Sequence, residues 1–430
     1  MNLGDGVHLT YCSNIHPGES WAEIRANLDR HVLAVRDRVS FPGDFGVGLR
    51  LSALAATELS EPAVLAEFRG FLARNGLYVF TINGFPYGTF HGTRVKEGVY
   101  LPDWRDPERL RYTNLLADLL ADLLPEMSPE ETAIEGSVST VPGAFKPALG
   151  GPQDVAAMVE NLLRHVAHLV ALRSRTGRLI ALALEPEPHC FLETIDEVID
   201  FFRLDLHGPA AILRTMKLTG LDHAGAARAL HDHLGLCLDL CHAAVEFENA
   251  ADSIRRLDES GIRILKMQIS AGLQLPTLDA RAIDALKRFD DPVYLHQVVQ
   301  QDAKGLTRFA DLPEAFAALE GSTASGEWRV HFHVPIFLDR LAPFASTQPF
   351  VREVLAMQRD RPVSAHLEVE TYTWGVLPEP FRSGTIDESV ARELSWARTE
   401  LASSGSSGTL PDPSTLPKGQ ERVFADQGPS

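Results

Sequence analysis

The sequence predicts an α/β protein of the (β/α)8, or TIM-barrel, class with inserted loops. Three observations predict it. Short apolar runs alternate with helical patterns along most of the chain. Eight of these runs read as strands, and eight parallel strands close a barrel. Acids and imidazoles stand at the downstream ends of several runs. A barrel of this class gathers its chemistry there, on the C-terminal face of its strands.

The eight expected strands are VHLTYCSN (7–14), FGVGLRLS (45–52), LYVFTING (77–84), TAIEGSVST (132–140), LIALALEPE (179–187), LGLCLDLCH (234–242), IRILKMQIS (262–270) and AHLEVETYT (365–373). Between them the apolar period changes to that of a helix. In 152–173, Val155, Met158, Leu162, Val166 and Leu169 mark one face, and Pro152 stands where a first turn would begin. In 193–202, Ile195, Val198, Ile199 and Phe202 do the same, with Glu193 and Asp196 expected in the first turn. Two further apolar runs, VYLHQVV (293–299) and WRVHFHVPIF (328–337), fall between the seventh and eighth strands. Either they form an excursion beside the barrel, or one of them is the true seventh strand. Residues 207–233 read as an inserted helical piece. Residues 1–402 are expected to form a single barrel domain. Residues 403–430, rich in Ser, Gly and Pro, are expected to be a disordered tail.

Composition narrows the function. Of 430 residues, 45% are apolar and 23% charged, as in a globular protein with a large core. The net charge of −18 repels phosphate backbones, so nucleic acid is not an expected partner. Cys12, Cys190, Cys237 and Cys241 show no repeating spacing, which suits free thiols in a reducing cytoplasm. No basic stretch followed by an apolar one opens the chain, and no apolar run approaches the length of a membrane span.

The polar residues at the strand ends form three sets. Glu185, Asp239 and Glu370 are the first, and carboxylates from different strands suit a divalent cation. Glu187 and Glu368 share a strand face with Glu185 and Glu370, so the choice within each pair stays open. The imidazoles His242, His296, His331 and His333 are the second set. Beside them, Lys266, Gln268 and Ser270 share a face. Gln268 could be a neutral oxygen ligand, and Lys266 could stabilise negative charge or bind phosphate. The third set lies in the early loops: Asn14 and His16 after the first strand, then Asn83, Phe85, Tyr87, His91, Lys96 and Trp104 after the third. Long aromatic loops at strand ends shape small-molecule pockets. Each residue also has a plainer reading, as a salt-bridged acid, a core histidine, a packed lysine or part of a packed loop.

The series LALEP, LCLDLCH, a histidine strand and HLEVET resembles the xylose isomerase-like TIM-barrel superfamily, which includes sugar phosphate isomerases, epimerases and endonuclease IV. The DxxH of Asp239 and His242, and the pair Glu370-Thr371, look like the endonuclease IV branch. Over residues 7–402, the segments LTYCSNIHPGESW, TINGFPYGTFHG, VYLPDW, YLHQVV, FHVPIF and HLEVETYTWGVLP resemble the metabolite traffic protein EboE family. The superfamily resemblance implies a divalent metal (Mn, Zn, Co or Fe) held by Glu, Asp, His and Glu. Glu185, Asp239 and Glu370 match three of these positions. Gln268 stands where many members have histidine, with His296 and His333 nearby. The EboE resemblance implies a bacterial, cytoplasmic protein encoded beside a membrane prenyltransferase and tied to the export of secondary-metabolite precursors.

The expected activity is therefore a metal-dependent isomerase or epimerase acting on a small metabolite. Glu185, Glu370 and His242 would move protons. Asn14, His16, Asn83, His91, Lys266 and His296 would bind substrate. The alternative is a barrel that holds or hands over a metabolite without turning it over. A nuclease of the endonuclease IV type fits poorly with the acidic charge.

Overall fold

Each expected strand becomes one stave of the barrel. The computed structural model describes residues 1–402 apart from 92–93, 127–132, 320–324, 379–381 and 383, so the expected tail at 403–430 lies outside the described residues. The staves are β1 (Val7–Tyr11), β2 (Phe45–Arg50), β3 (Leu77–Asn83), β4 (Gly136–Thr140), β5 (Ile180–Leu184), β6 (Leu234–Asp239), β7 (Ile264–Ile269) and β8 (His366–Val369). They pair in parallel in the order β1-β8-β7-β6-β5-β4-β3-β2. Every residue of all eight is buried, which is why their sequences read as near-continuous apolar runs.

The barrel closes between β1 and β2 by a less regular seam. Cys12 bridges Gly48 in parallel. The Thr10 hydroxyl donates to the Gly46 carbonyl (2.7 Å) and accepts from the Gly48 N–H (3.0 Å). Gly48 is required there, because a Cβ would lie 2.4 Å from the Tyr11 carbonyl oxygen and would also strike the Glu368 carboxylate. A short strand, Asn2–Gly4, lies antiparallel against the outer edge of β1.

The two extra apolar runs form an excursion, and neither is the seventh stave. The chain leaves β7 through Ser270 into Ala271–Leu275, which pairs antiparallel with Glu327–Val334. Val298–Asp302 and Gly305–Phe309 extend this side sheet on one flank, and Phe344–Ser346 and Arg340–Leu341 extend it on the other. The pairing jumps from Val330↔Leu273 to His333↔Gly272, so the strand bulges at His331 and Phe332. A bulge re-aims side chains. Here it lies beside the barrel mouth. Gly272 permits the close approach, since a Cβ would lie 3.1 Å from Cys241 Sγ and 3.3 Å from the Val330 carbonyl oxygen.

The helix expected over 152–173 spans Pro152–Thr176. It corrects the expectation that nothing is long and apolar enough for a membrane span. Its 25 residues include an 18-residue window of mean hydropathy 1.3. Length and composition alone are weak ground for a span, and Met158, Leu162, Val166 and Leu169 belong to the barrel core. The second expected helix is Ile195–Phe201. Thr194 caps it with Glu197, and Glu193 lies before the first turn rather than in it. The inserted piece is two helices, Pro209–Thr219 and His223–His233.

Candidate metal centre

At the C-terminal mouth the strand ends place the three expected carboxylates. Glu185 follows β5, and its N–H donates to the Thr140 carbonyl (3.1 Å). Glu370 follows β8, and its Oε1 accepts from Asn14 Nδ2 (2.6 Å) and Asn83 Nδ2 (3.0 Å). Asp239 ends β6 and caps the helix Leu240–Val245. Its Oδ1 accepts from the His242 N–H (2.9 Å) and from Ser270 Oγ (2.8 Å). The strand-cap-helix turn of LDLCH thus uses one carboxylate oxygen for folding and leaves the other free.

Burial and mutual repulsion dominate the electrostatics. Burial pushes the Glu185 carboxyl well above its usual range, with Glu370 and Asp239 adding to the rise and Lys266 opposing it. Glu370 is pushed the same way by burial, Asp239 and Glu368, against Lys266 and the Asn14 hydrogen bond.

The imidazoles come from the helix after β6 and from the bulged side strand. His242 Nδ1 lies 2.9 Å from the Pro186 carbonyl oxygen, and its Nε2 lies 3.0 Å from His331 Nε2. His331 Nδ1 lies 2.8 Å from Gln297 Oε1. His333 Nδ1 lies 2.7 Å from the Glu370 carbonyl oxygen. Burial holds His333 down to about 4 and His331 well below the ordinary histidine value.

Whether these residues fit a cation can be judged from what they leave unpaired. Glu185 Oε2, Asp239 Oδ2 and His333 Nε2 are buried and have no hydrogen-bond partner among the described residues. Such atoms are costly unless a guest satisfies them. Ligand atoms of Glu185, Asp239 and His242 lie within 4.8 Å of one another, as do those of Asp239, Cys241 and His333, and those of His242, His331 and His333. The donor set is that of a divalent transition metal.

Beside the acids is a small cavity of about 60 Å³, lined by Phe85, Phe90, Tyr100, Tyr294 and Tyr372 among others. That volume takes an ion and a few waters. Glu187 lines it too, held by the Tyr100 hydroxyl (2.7 Å) and Gln297 Nε2 (3.1 Å). Lys96 reaches the lining with its ammonium already paired to Asp311 (2.6 Å).

The expected site residues divide into three groups. Asn14, Asn83, Glu185, His242 and Glu370 line the cavity. Asp239 and His333 stand close behind it. Gln268 pairs in register with Asp239 and Glu368, and its Oε1 accepts from the Cys237 thiol (3.1 Å). Lys266, His16, His91 and His296 are placed elsewhere. Lys266 is buried in the barrel on Glu368 (2.6 Å). His16 stacks on His31 at 4.3 Å and meets the Tyr11 hydroxyl (3.0 Å). His91 is fixed between the Asn14 carbonyl and the Tyr294 hydroxyl. His296 is paired to Asp291 and does not line the cavity. Sequence reasoning passed over Tyr100, Gln297 and Tyr372. Tyr100 and Tyr372 lie inside quoted segments, and Gln297 adjoins His296 in YLHQVV.

The fold and the mouth together define a (β/α)8 barrel with a candidate divalent-metal centre. No family model matches the chain, and no curated protein matches it. Among solved structures it is similar to the probable 3-DHS dehydratase AsbF of Bacillus anthracis, which is involved in petrobactin synthesis. The identity is 13% and the TM-score 0.43, covering 90% of this chain and 97% of that one. It is similar to the 3-keto-D-glucoside 4-epimerase YcjR of E. coli at 12% identity and TM-score 0.39, covering 91% and 99%. It is similar also to the IolI protein with a bound zinc atom, at 12% identity and TM-score 0.40, covering 92% and 98%.

Proposed function

We propose that this chain is a xylose isomerase-like, metal-dependent enzyme that isomerises or epimerises a sugar, sugar phosphate or related small metabolite. The supporting observation is the set of buried, unpartnered ligand atoms on Glu185, Asp239 and His333 at the barrel mouth. Glu185, Asp239 and Glu370 would hold the cation, with Gln268 and His333 adjoining it. When bound, such an ion polarises a carbonyl and its neighbouring hydroxyl. Glu185 would carry a proton to and from the carbon beside that carbonyl. Glu370, oriented by Asn14 and Asn83, serves as the complementary acid or base. His242 passes protons at the cavity wall. The aromatic side chains lining the cavity offer faces against which a small substrate would pack.

The test is metal analysis of protein purified without chelator, followed by NMR of keto-sugars in D2O. We expect bound metal that is lost in Asp239→Asn, and solvent deuterium entering the carbon next to the carbonyl. Glu370→Gln should abolish that exchange. Absence of both metal and exchange sinks this reading.

A second reading is a barrel that holds or hands over a metabolite unchanged. It is favoured by the Gln268 oxygen being taken up by the Cys237 thiol. It predicts a co-purified metabolite that the protein returns chemically intact. On either reading, the resemblance over residues 7–402 supports a place in bacterial, cytoplasmic EboE-type metabolite traffic, with a membrane prenyltransferase as pathway partner.

A further inference from the structure

His91 does not line the cavity, yet it joins separate segments of the chain around it. Its Nε2 meets the Asn14 carbonyl, just after β1. Its Nδ1 lies 2.8 Å from the hydroxyl of Tyr294, which stands ahead of the side-sheet strand Val298–Asp302. Asn14 in turn donates from Nδ2 to Glu370 Oε1 (2.6 Å). Tyr294, His91, Asn14 and Glu370 thus form one line of contacts that ends at the mouth.

The sequence explains why the Asn14 carbonyl takes a side-chain donor. Ser13–Ile15 is a 3-10 turn, and the His16 N–H donates to the Ser13 carbonyl (3.1 Å). The next bond of that series would reach the Asn14 carbonyl from the N–H of residue 17. Residue 17 is proline, which has no N–H. Asn14 is buried, and a buried carbonyl without a donor is costly. His91 supplies the donor.

The same contact fixes the ring. A carbonyl oxygen only accepts, so His91 carries its hydrogen on Nε2. Burial lowers the ring to about 4 and so keeps it neutral. The lone pair is then on Nδ1, where the Tyr294 hydroxyl donates to it. The Tyr294 ring is itself packed between Phe90 and Tyr372, with ring centroids 5.3 and 5.2 Å away. Every donor in the line points the same way, from Tyr294 to Glu370. Asn14 is thereby held at its backbone by His91 and at Nδ2 by Glu370. Its Oδ1 is buried with no partner among the described residues, and Asn14 lines the cavity.

We propose that His91 is a positioning residue. Backed by Tyr294, it holds the Asn14 carbonyl, so that the Asn14 amide fixes the Glu370 carboxylate. The role given to Glu370 rests on the proposed function, whereas the tautomer and the hold on Asn14 do not.

The test compares two amide replacements in the full chain. His91→Gln puts an N–H donor near the Nε2 position, and His91→Asn puts one near Nδ1 only. With ¹⁵N-labelled asparagine, the Asn14 side-chain amide is identified in the NMR spectrum by its loss in Asn14→Ala. Its hydrogen-bonded, downfield proton should persist in His91→Gln and disappear in His91→Asn. In equilibrium dialysis against Co²⁺, His91→Asn should weaken uptake about 10-fold, with His91→Gln within about 2-fold of wild type. Adding His91→Asn to Asn14→Ala should weaken it no further, because both act through one contact. An Asn14 amide unchanged in His91→Asn overturns the proposal. So do losses that add in the double variant, or Gln and Asn replacements that behave alike. If the wild type takes up no Co²⁺, the metal reading falls, and the Asn14 amide alone decides the role of His91.

Discussion

The barrel interior and the barrel mouth bury similar chemistry in opposite ways. In the interior, Lys266 and Glu368 meet at 2.6 Å with both side chains fully buried. Burial works against the Lys266 charge, but Glu368, with Cys237 and Cys12 adding to it, holds the ammonium above its ordinary range. Around them the Ser137 hydroxyl bonds His366 Nδ1 (2.7 Å) and Thr81 Oγ1 (2.9 Å). At the mouth, with Asp239 ending β6 and Glu370 two residues beyond Glu368, the acids meet amides and one another rather than a cation, and Glu185 Oε2 and Asp239 Oδ2 are left over, while in the interior Glu368 Oε1 is left over beside an ion pair. Charges paired within the chain serve the fold alone. Charges left over are tolerated only with a guest to satisfy them. The same barrel therefore carries a structural ion pair in its interior and a candidate metal centre at its mouth.

The largest test of this contrast removes one partner of that ion pair. Lys266→Met strands a buried carboxylate and should cost about 3–5 kcal/mol in urea unfolding. Adding Glu368→Leu should recover most of that loss. If Lys266→Met alone is neutral, the interior is not a closed ion pair.

Next is pH. Glu393, buried behind the mouth and accepting from Thr371 Oγ1 (2.7 Å), has its carboxyl raised by burial from 4.5 to about 7. A raised carboxyl contributes stability that is fully present below the unfolded value and lost as pH rises through the folded one. Between pH 4.5 and 7 the wild type should therefore lose about 3 kcal/mol relative to Glu393→Gln. Equal pH profiles for the two proteins would refute the shift.

Metal linkage comes third. Free metal at 100 times its Kd should stabilise the wild type by about 2.7 kcal/mol, read as a rise in Tm that chelator reverses. Asp239→Asn should show no such rise, while the ion-pair variants should keep it.

The smallest expected effect is at the junction between barrel and side sheet. Gly272→Ala brings a Cβ to 3.1 Å from Cys241 Sγ and should cost about 1 kcal/mol, with weakened metal uptake as the bulge shifts His333. Full metal affinity in this variant would mean that the close approach does not place His333.

The sequence by itself determined the barrel and the approximate site. Buried parallel strands must be apolar along both faces, so all eight staves were legible as runs, and the acids ending them marked the mouth. Tertiary structure alone decided which member of each pair acts where. Glu368 and Glu370 differ by two residues on one strand face, yet one meets Lys266 and the other meets Asn14 and Asn83. In YLHQVV, His296 turns to Asp291 while its neighbour Gln297 faces His331, a difference of a single position. The two extra runs could be excluded from the barrel only by their antiparallel pairing. The physical reason is range. Apolar period is a property of the local chain. The depth of a side chain, the tautomer of a ring and the partner of a charge depend on residues hundreds of positions away.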